Sequence, residues 1–309
     1  MAKNNLKGTL ILTLGALIWG FAFVAQSAAR AVPPMTLNFL RFAISALCLG
    51  LTLKIIGLKT REPIFPREPA KLKTALFAGA VCGFMLALSA NLQQAGIAAY
   101  QSGVSAEARA GFLTALYVIL VPIISVVFGK RIHLLVWTAV LLALVGVYML
   151  CSKGGFSGIY SGDVLMLSCA LGFSIQILFV EKYCGTVGGL RLSFLEFSFC
   201  SLFSALAALA FETSKVNIAD IKAATVSILF LGVMSGGVGY TLQIIGQKYA
   251  EASVASIAMS LESVFAALGG WLILSHALTW HEIIGCVLVF AAIILAQLPE
   301  FKRSPAPDK

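Results

Sequence analysis

Glu262 is the one carboxylate in the apolar run 252–274, ASVASIAMSLESVFAALGGWLIL. A helix rises ~1.5 Å per residue and a bilayer core is ~30 Å thick, so this run can cross a membrane with Glu262 ~15 Å from either end. Snorkelling to water is hard from that depth. A carboxylate kept there, with Ser260 and Ser263 beside it, needs a partner, a proton or a wet cavity. A carboxyl that is neutral in one state and ionised in another is what a proton-coupled carrier uses. The plainer role is a permanently protonated, hydrogen-bonded structural group.

A few other polar side chains lie inside apolar runs. Arg41 is ~9 Å from one end of its run, near enough to snorkel; facing inward, its planar fork suits Glu262 or a carboxylate on a solute. Glu196 is only ~6 Å from its run's end and is expected to reach water. Gln93 and Gln243 are matched amides that either bond between helices or meet a ligand, and their symmetric placement favours a cavity. Asn38 and Asn91 are weaker candidates of the same kind. Trp19, Tyr117, Phe173 and Tyr240 are candidate walls for an organic ligand, although membrane aromatics mostly pack or face lipid. Asn91 aside, these residues form the candidate solute-binding set, with Glu262 as its proton-coupling member. Glu196 is left out as a snorkelling group, and Glu107 with Arg109 reads as a solvated pair at the edge of a run.

Enzyme and ATPase chemistry find no support. There is no Gly-Lys-Ser/Thr phosphate loop, and His133, His276 and His281 are scattered at the ends of runs. Seven cysteines give no CxxC pair and no Cys/His cluster, so neither a disulfide framework nor a metal is expected, and no cofactor. Gly79-x-x-x-Gly83 and Gly232-x-x-x-Gly236 are spaced for close helix packing. The fuller stretch Gly236-Gly237-Val238-Gly239 could loosen its helix into a hinge or a broken segment.

The elements that must hold these residues are membrane helices. Hydrophobic residues make up 60% of 309, charged residues 11%, and the mean hydropathy is +0.96. Apolar runs of near 20 residues recur at 9–27, 35–56, 72–98, 106–128, 134–151, 163–181, 192–211, 224–247, 252–274 and 282–298. Their continuity argues against barrel strands. The fold class is therefore an all-α membrane protein of ten transmembrane helices, the first being an uncleaved helix rather than a signal peptide. A net charge of +9 would suggest nucleic acid in a soluble chain; here the basic residues flank apolar runs, so topology and anionic lipid headgroups account for them. With the N-terminus inside, sixteen of the 22 Lys and Arg fall on the inner side and four on the outer, which makes both termini cytoplasmic.

The chain also repeats itself. Phe39-Leu40-Arg41-Phe42 matches Phe194-Leu195-Glu196-Phe197 at an offset of 155, and Leu92-Gln93-x-x-Gly96 matches Leu242-Gln243-x-x-Gly246 at 150. The stretch from Ala110 matches that from Ala255 at 145, placing Tyr117 opposite Glu262. Because each copy has five spans, an odd number, the second is inverted: 8–151 and 162–298 are two inverted five-helix repeats, followed by a disordered cytoplasmic tail, 299–309. Inverted repeats build secondary transporters, with solute held near the midplane.

These motifs carry a family resemblance. Gly15-Ala16-Leu17-Ile18-Trp19-Gly20, Leu40-Arg41-Phe42, Ala110-Gly111-Phe112-Leu113-Thr114 with Val121-Pro122, and Ser260-Leu261-Glu262 with Val264-Phe265 resemble the EamA-type drug/metabolite transporters over roughly 8–298. The resemblance implies two EamA repeats, a bacterial inner-membrane location and no ATPase. It also implies alternating-access movement of small metabolites, amino-acid-like compounds or drugs, as export or substrate:proton exchange, and it puts the Trp19 helix beside the central cavity. An uncoupled facilitator or channel, or a non-transporting scaffold, are the alternatives. The expected partners are a small-molecule solute, the lipid bilayer and protons, not nucleic acid, with the chain a monomer or homodimer. Two departures stand out: Ser263 replaces a family proline, which should leave that span straighter, and Ser275-His276 replaces a family Gly-Glu.

Overall fold

The computed structural model describes residues 5–60, 65–100, 106–151, 160–265, 268 and 279–301. The side chains of Glu107 and Arg109, Ser275-His276 and the tail from residue 302 lie outside the described residues. Among the described residues the regular elements are all helical: α1 Asn5–Ala28, α2 Pro34–Thr60, α3 Pro69–Ala99, α4 Ala106–Ala115, α5 Tyr117–Val127, α6 Leu134–Cys151 and α7 Ser161–Val187. There follow α8 Gly189–Phe211, α9 Ile218–Ala223, α10 Thr225–Phe230, a π-helix Leu231–Tyr240, α11 Thr241–Gln247, α12 Ala252–Met259 and α13 Trp280–Phe301. Residues 299–301, expected in the tail, continue α13.

Seven helical stretches are long and apolar enough to cross a membrane: Leu6–Ala28, Pro34–Lys59, Pro69–Ala99, Ala110–Val127, Ser161–Val187, Gly189–Phe211 and Thr225–Gln247. Shorter apolar helices cover Leu134–Met149, Ala252–Phe265 and Ile283–Ala296. The chain is a multi-pass membrane protein. Helices α2 and α3 run further than their apolar stretches, because Pro69 at the start of α3 has a fixed φ and lacks only a donor that the first turn leaves unbonded. The turn from α7 into α8 is a single residue, Gly188 at φ +88°, a conformation that a side chain would strain.

Packing sets the geometry. α1 lies against the π-helix, α11 and α12; α2 against α8 and the π-helix; α3 against α7 and α8; α6 pairs with α13. The two GxxxG motifs make two of these contacts. A Cβ on Gly83 would sit 2.6 Å from the carbonyl oxygen of Glu196 on α8, and one on Gly232 would sit 2.8 Å from Ile44 on α2. In lipid, apolar burial does not drive helices together, so such close backbone approach supplies the contact energy.

Three of the ten expected spans depart from straight helices among the described residues. The fourth breaks at Leu116 between α4 and α5, where Leu116 N bonds back only three residues to the Leu113 carbonyl. Pro122 then removes a donor from α5. The ninth, expected to run straighter for want of a proline, is interrupted by a turn at Ser260 and resumes over 261–265. The reason is local: Ser256 and Ser260 each donate their hydroxyl to a carbonyl three residues back, at 2.9 and 2.7 Å, in competition with the helix ladder. The eighth widens into ten residues of π-helix over the glycine-rich stretch.

One ionic cap ties α8 to α2. Glu212, just past the end of α8, is 5% exposed and accepts from Met35 N at 2.9 Å, Thr36 N at 2.8 Å and Thr36 Oγ1 at 2.8 Å in the first turn of α2. Those are orphan donors at the positive end of a helix. Glu212→Ala is therefore expected to cost about 1–3 kcal/mol, read as a lowered melting temperature in detergent or nanodiscs; an unchanged melt would contradict it.

Candidate functional site: a polar cavity around Glu262

Eight of the nine candidate residues come together. Trp19 from α1, Arg41 from α2, Gln93 from α3, Tyr117 from α5, Phe173 from α7, Tyr240 from the π-helix, Gln243 from α11 and Glu262 after the Ser260 turn all line one cavity. Asn38 does not: rotated away on α2, it donates to Asn91 Oδ1 at 2.7 Å, and Asn91 donates on to Ser204. Of the unpredicted lining residues, Gln26, Thr114, Gln176 and Ser235 are polar and Ala22, Phe23, Ile177 and Met259 are not. The cavity is about 50 Å³, room for a few waters and too small for an organic solute.

Glu262 is 6% exposed and faces this space rather than the outside of the bundle. Its Oε1 accepts from the Tyr117 hydroxyl at 3.1 Å. The break at Leu116 comes immediately before Tyr117, and the turn at Ser260 comes two residues before Glu262. Each interrupts its helix within two residues of a side chain that lines the cavity.

Arg41 is buried at 3% exposure, so it does not snorkel. Its guanidinium lies 4.7 Å over the Phe42 ring, and its Nε and Nη2 have no hydrogen-bond partner. No ion pair joins it to Glu262. Buried donors left unmatched in a cavity wall are costly unless something in the cavity takes them.

Two glutamine pairs flank the space. Gln26 Nε2 donates to Gln93 Oε1 at 3.0 Å, and Gln93 Nε2 donates to Thr114 Oγ1 at 3.3 Å. Opposite, Gln243 Nε2 donates to Gln176 Oε1 at 3.1 Å. Both pairs join residues 67 apart in the chain. Glu196 corrects its sequence expectation: it is 0% exposed and accepts from Gln176 Nε2 at 2.7 Å. Its depth is near a helix end, but its direction is inward, toward α7.

Aromatic rings and the π-helix close another side. Tyr240 sits 4.8 Å from Trp19, 6.0 Å from Phe42 and 6.1 Å from Phe197, centroid to centroid. Trp19 Nε1 donates to the Ser235 carbonyl at 3.2 Å, and Ser45 Oγ to the Gly232 carbonyl at 2.6 Å. These side chains supply bonds to backbone carbonyls inside the widened segment. π-helical turns are rare and concentrate at functional sites.

The chain matches the EamA-like transporter family over residues 6–152 and 160–298. It belongs to that family. A protein named as an uncharacterized transporter in Archaeoglobus fulgidus is 32% identical over 301 residues, spanning 96% of this chain and 87% of the relative. A solved crystal structure superposes with a TM-score of 0.74 at 21% identity, covering 96% of this chain and 99% of that one; at that identity it speaks for the fold. This EamA-like protein is a membrane transporter and not an enzyme.

Proposed function

We propose that this protein is a secondary transporter of small organic solutes in the bacterial inner membrane, with ten spans, two inverted five-helix repeats (8–151 and 162–298) and both termini in the cytoplasm. The observation that carries this reading is the narrow polar cavity in which Glu262 and the unmatched Arg41 guanidinium both stand. The three shorter apolar helices serve as the remaining spans, and α6 with α13 brace the bundle from outside.

Contacts between repeat-matched positions support the inverted arrangement. Tyr117 and Glu262, 145 apart, share a hydrogen bond, and Phe42 and Phe197, 155 apart, lie 5.9 Å centroid to centroid. Residues related by a two-fold axis touch when they lie close to that axis. Solute is therefore held on the seam between the halves, where secondary transporters bind it.

The cycle is alternating access. A cavity of about 50 Å³ must widen to take in solute, and the segments around it are the interrupted ones: the Leu116 and Ser260 breaks and the π-helix. Glu262 exchanges a proton as the cavity changes sides. Arg41 favours solutes with a carboxylate, such as amino-acid-like metabolites, and export is the direction we assign.

A metabolite library screened by thermal shift identifies the solute, since a ligand of the native state stabilises it by mass action. Arg41→Leu is expected to weaken the best carboxylate-bearing hit at least about tenfold, the loss of one charge-assisted bond. Equal affinity would remove Arg41 from the site. Counterflow of that hit, labelled, in proteoliposomes marks a carrier; saturation-free conductance would instead mark a channel.

A further inference from the structure

Gln176 is shared between two acceptor-bearing neighbours. Its Nε2 donates to Glu196 Oε1 at 2.7 Å, while its own Oε1 accepts from Gln243 Nε2 at 3.1 Å. Gln243 Nε2 also reaches Gln247 Oε1 at 3.3 Å, and Gln247 Nε2 is fixed on the Ile177 carbonyl at 3.0 Å. Gln176 and Gln243 form part of the cavity wall; Glu196 stands behind them, out of solvent. Within this hydrogen-bonded series two oxygens have no partner: Glu196 Oε2 and Gln243 Oε1.

The donor and acceptor inventory makes the chain two-sided. An ionised carboxylate only accepts, so Gln176 must turn its NH₂ toward it, which is the arrangement seen. A protonated Glu196 carries one O–H donor as well, and that donor is best met by the Gln176 oxygen. The Gln176 amide then reverses and points its NH₂ at Gln243. Gln243 Oε1, partnerless at present, takes that donor once its own amide has turned, and Gln247 Oε1 gives up the longer 3.3 Å bond it now receives from Gln243 Nε2. The reversal takes up one proton at a Glu196 oxygen and releases none elsewhere. Its result is a cavity wall with donors and acceptors exchanged.

From this geometry we propose that Glu196 is a second proton-binding site, and that its protonation reverses the Gln176 and Gln243 amides facing the solute. The proposal rests on the transporter reading of the cavity above. Cys82 on α3 and Cys200, one turn along α8, are titratable neighbours of Glu196, and Cys200 also neighbours the Arg41 guanidinium of α2. The contributions of α7 and α11 are the neutral amides. Among the described residues no cation is ion-paired with Glu196.

Infrared difference spectra of the protein in nanodiscs, recorded as pH is stepped without any solute, read protonated carboxyl groups and glutamine amides separately. In the wild type we expect two protonated-carboxyl bands and a change in glutamine amide bands that follows one of them. Glu196→Gln should delete one carboxyl band and the amide change together. Glu196→Asp should shift that band rather than delete it. Gln176→Leu should keep the Glu196 band and lose the amide change, which gives a second route if Glu196→Gln fails to fold by circular dichroism. An unaltered spectrum in Glu196→Gln, or an amide change that survives in Gln176→Leu, overturns the proposal. The remaining carboxyl band should vanish in Glu262→Gln; its absence from the wild type would count against proton coupling at Glu262 and leave the Glu196 result to be read on its own.

Discussion

Glu262→Gln is expected to abolish pH-driven accumulation of solute and to leave the protein folded. The amide has the shape of the carboxyl, and its oxygen can accept from Tyr117 as Glu262 Oε1 does now at 3.1 Å. What it cannot do is bind and release a proton. A gradient of one pH unit is worth ~1.4 kcal/mol, so coupling one proton multiplies accumulation ~10-fold, and the variant should lose that factor entirely. Uptake into proteoliposomes under an imposed pH gradient measures it, with a thermal melt beside it. Wild-type accumulation in this variant would take Glu262 out of the coupling mechanism.

The glycines of the π-helix separate packing from motion. A Cβ on Gly236 would run into the Ser45 hydroxyl on α2, which is held there by its bond to Gly232. Gly236→Leu should therefore destabilise the fold, by about 1–3 kcal/mol as overpacking does. A Cβ on Gly237 meets only the Gly232 carbonyl, at 3.3 Å, on its own helix. Gly237→Leu should lower the melt less than Gly236→Leu and yet abolish transport, because it stiffens the segment proposed to let the cavity widen. Normal uptake by Gly237→Leu would show that the π-helix is static packing and not a hinge.

Much of this organisation was legible in the residues. Apolar runs mark helices because backbone groups in lipid must bond within their own segment. Eight candidate side chains converge because residue type and depth pick out polar and aromatic groups that lipid disfavours. Rotation about the helix axis is another matter. Glu196, buried, and Asn38, outside the cavity lining, differ from expectation on that ground: rise per residue gives the distance to a surface but not the face on which a side chain emerges. Helices apolar all round offer little periodicity to supply the missing angle. Gln26 and Gln176 could have been found, since they differ by the same 150 residues as Gln93 and Gln243. The breaks at Leu116 and Ser260 were harder to see, because they arise from single short-range bonds that leave the apolar pattern unchanged.

Seven of the apolar runs thus contribute to one cavity, which the proposed transport cycle requires to open. Thr114 lines that cavity beside Gln93, and a cysteine there reports access directly. In a background with all seven native cysteines replaced, Thr114→Cys is treated with a membrane-impermeant thiol reagent in right-side-out and in inside-out vesicles. Alternating access predicts labelling from both sides, slowed from each by saturating solute. Labelling from one side only, unaffected by solute, would contradict it.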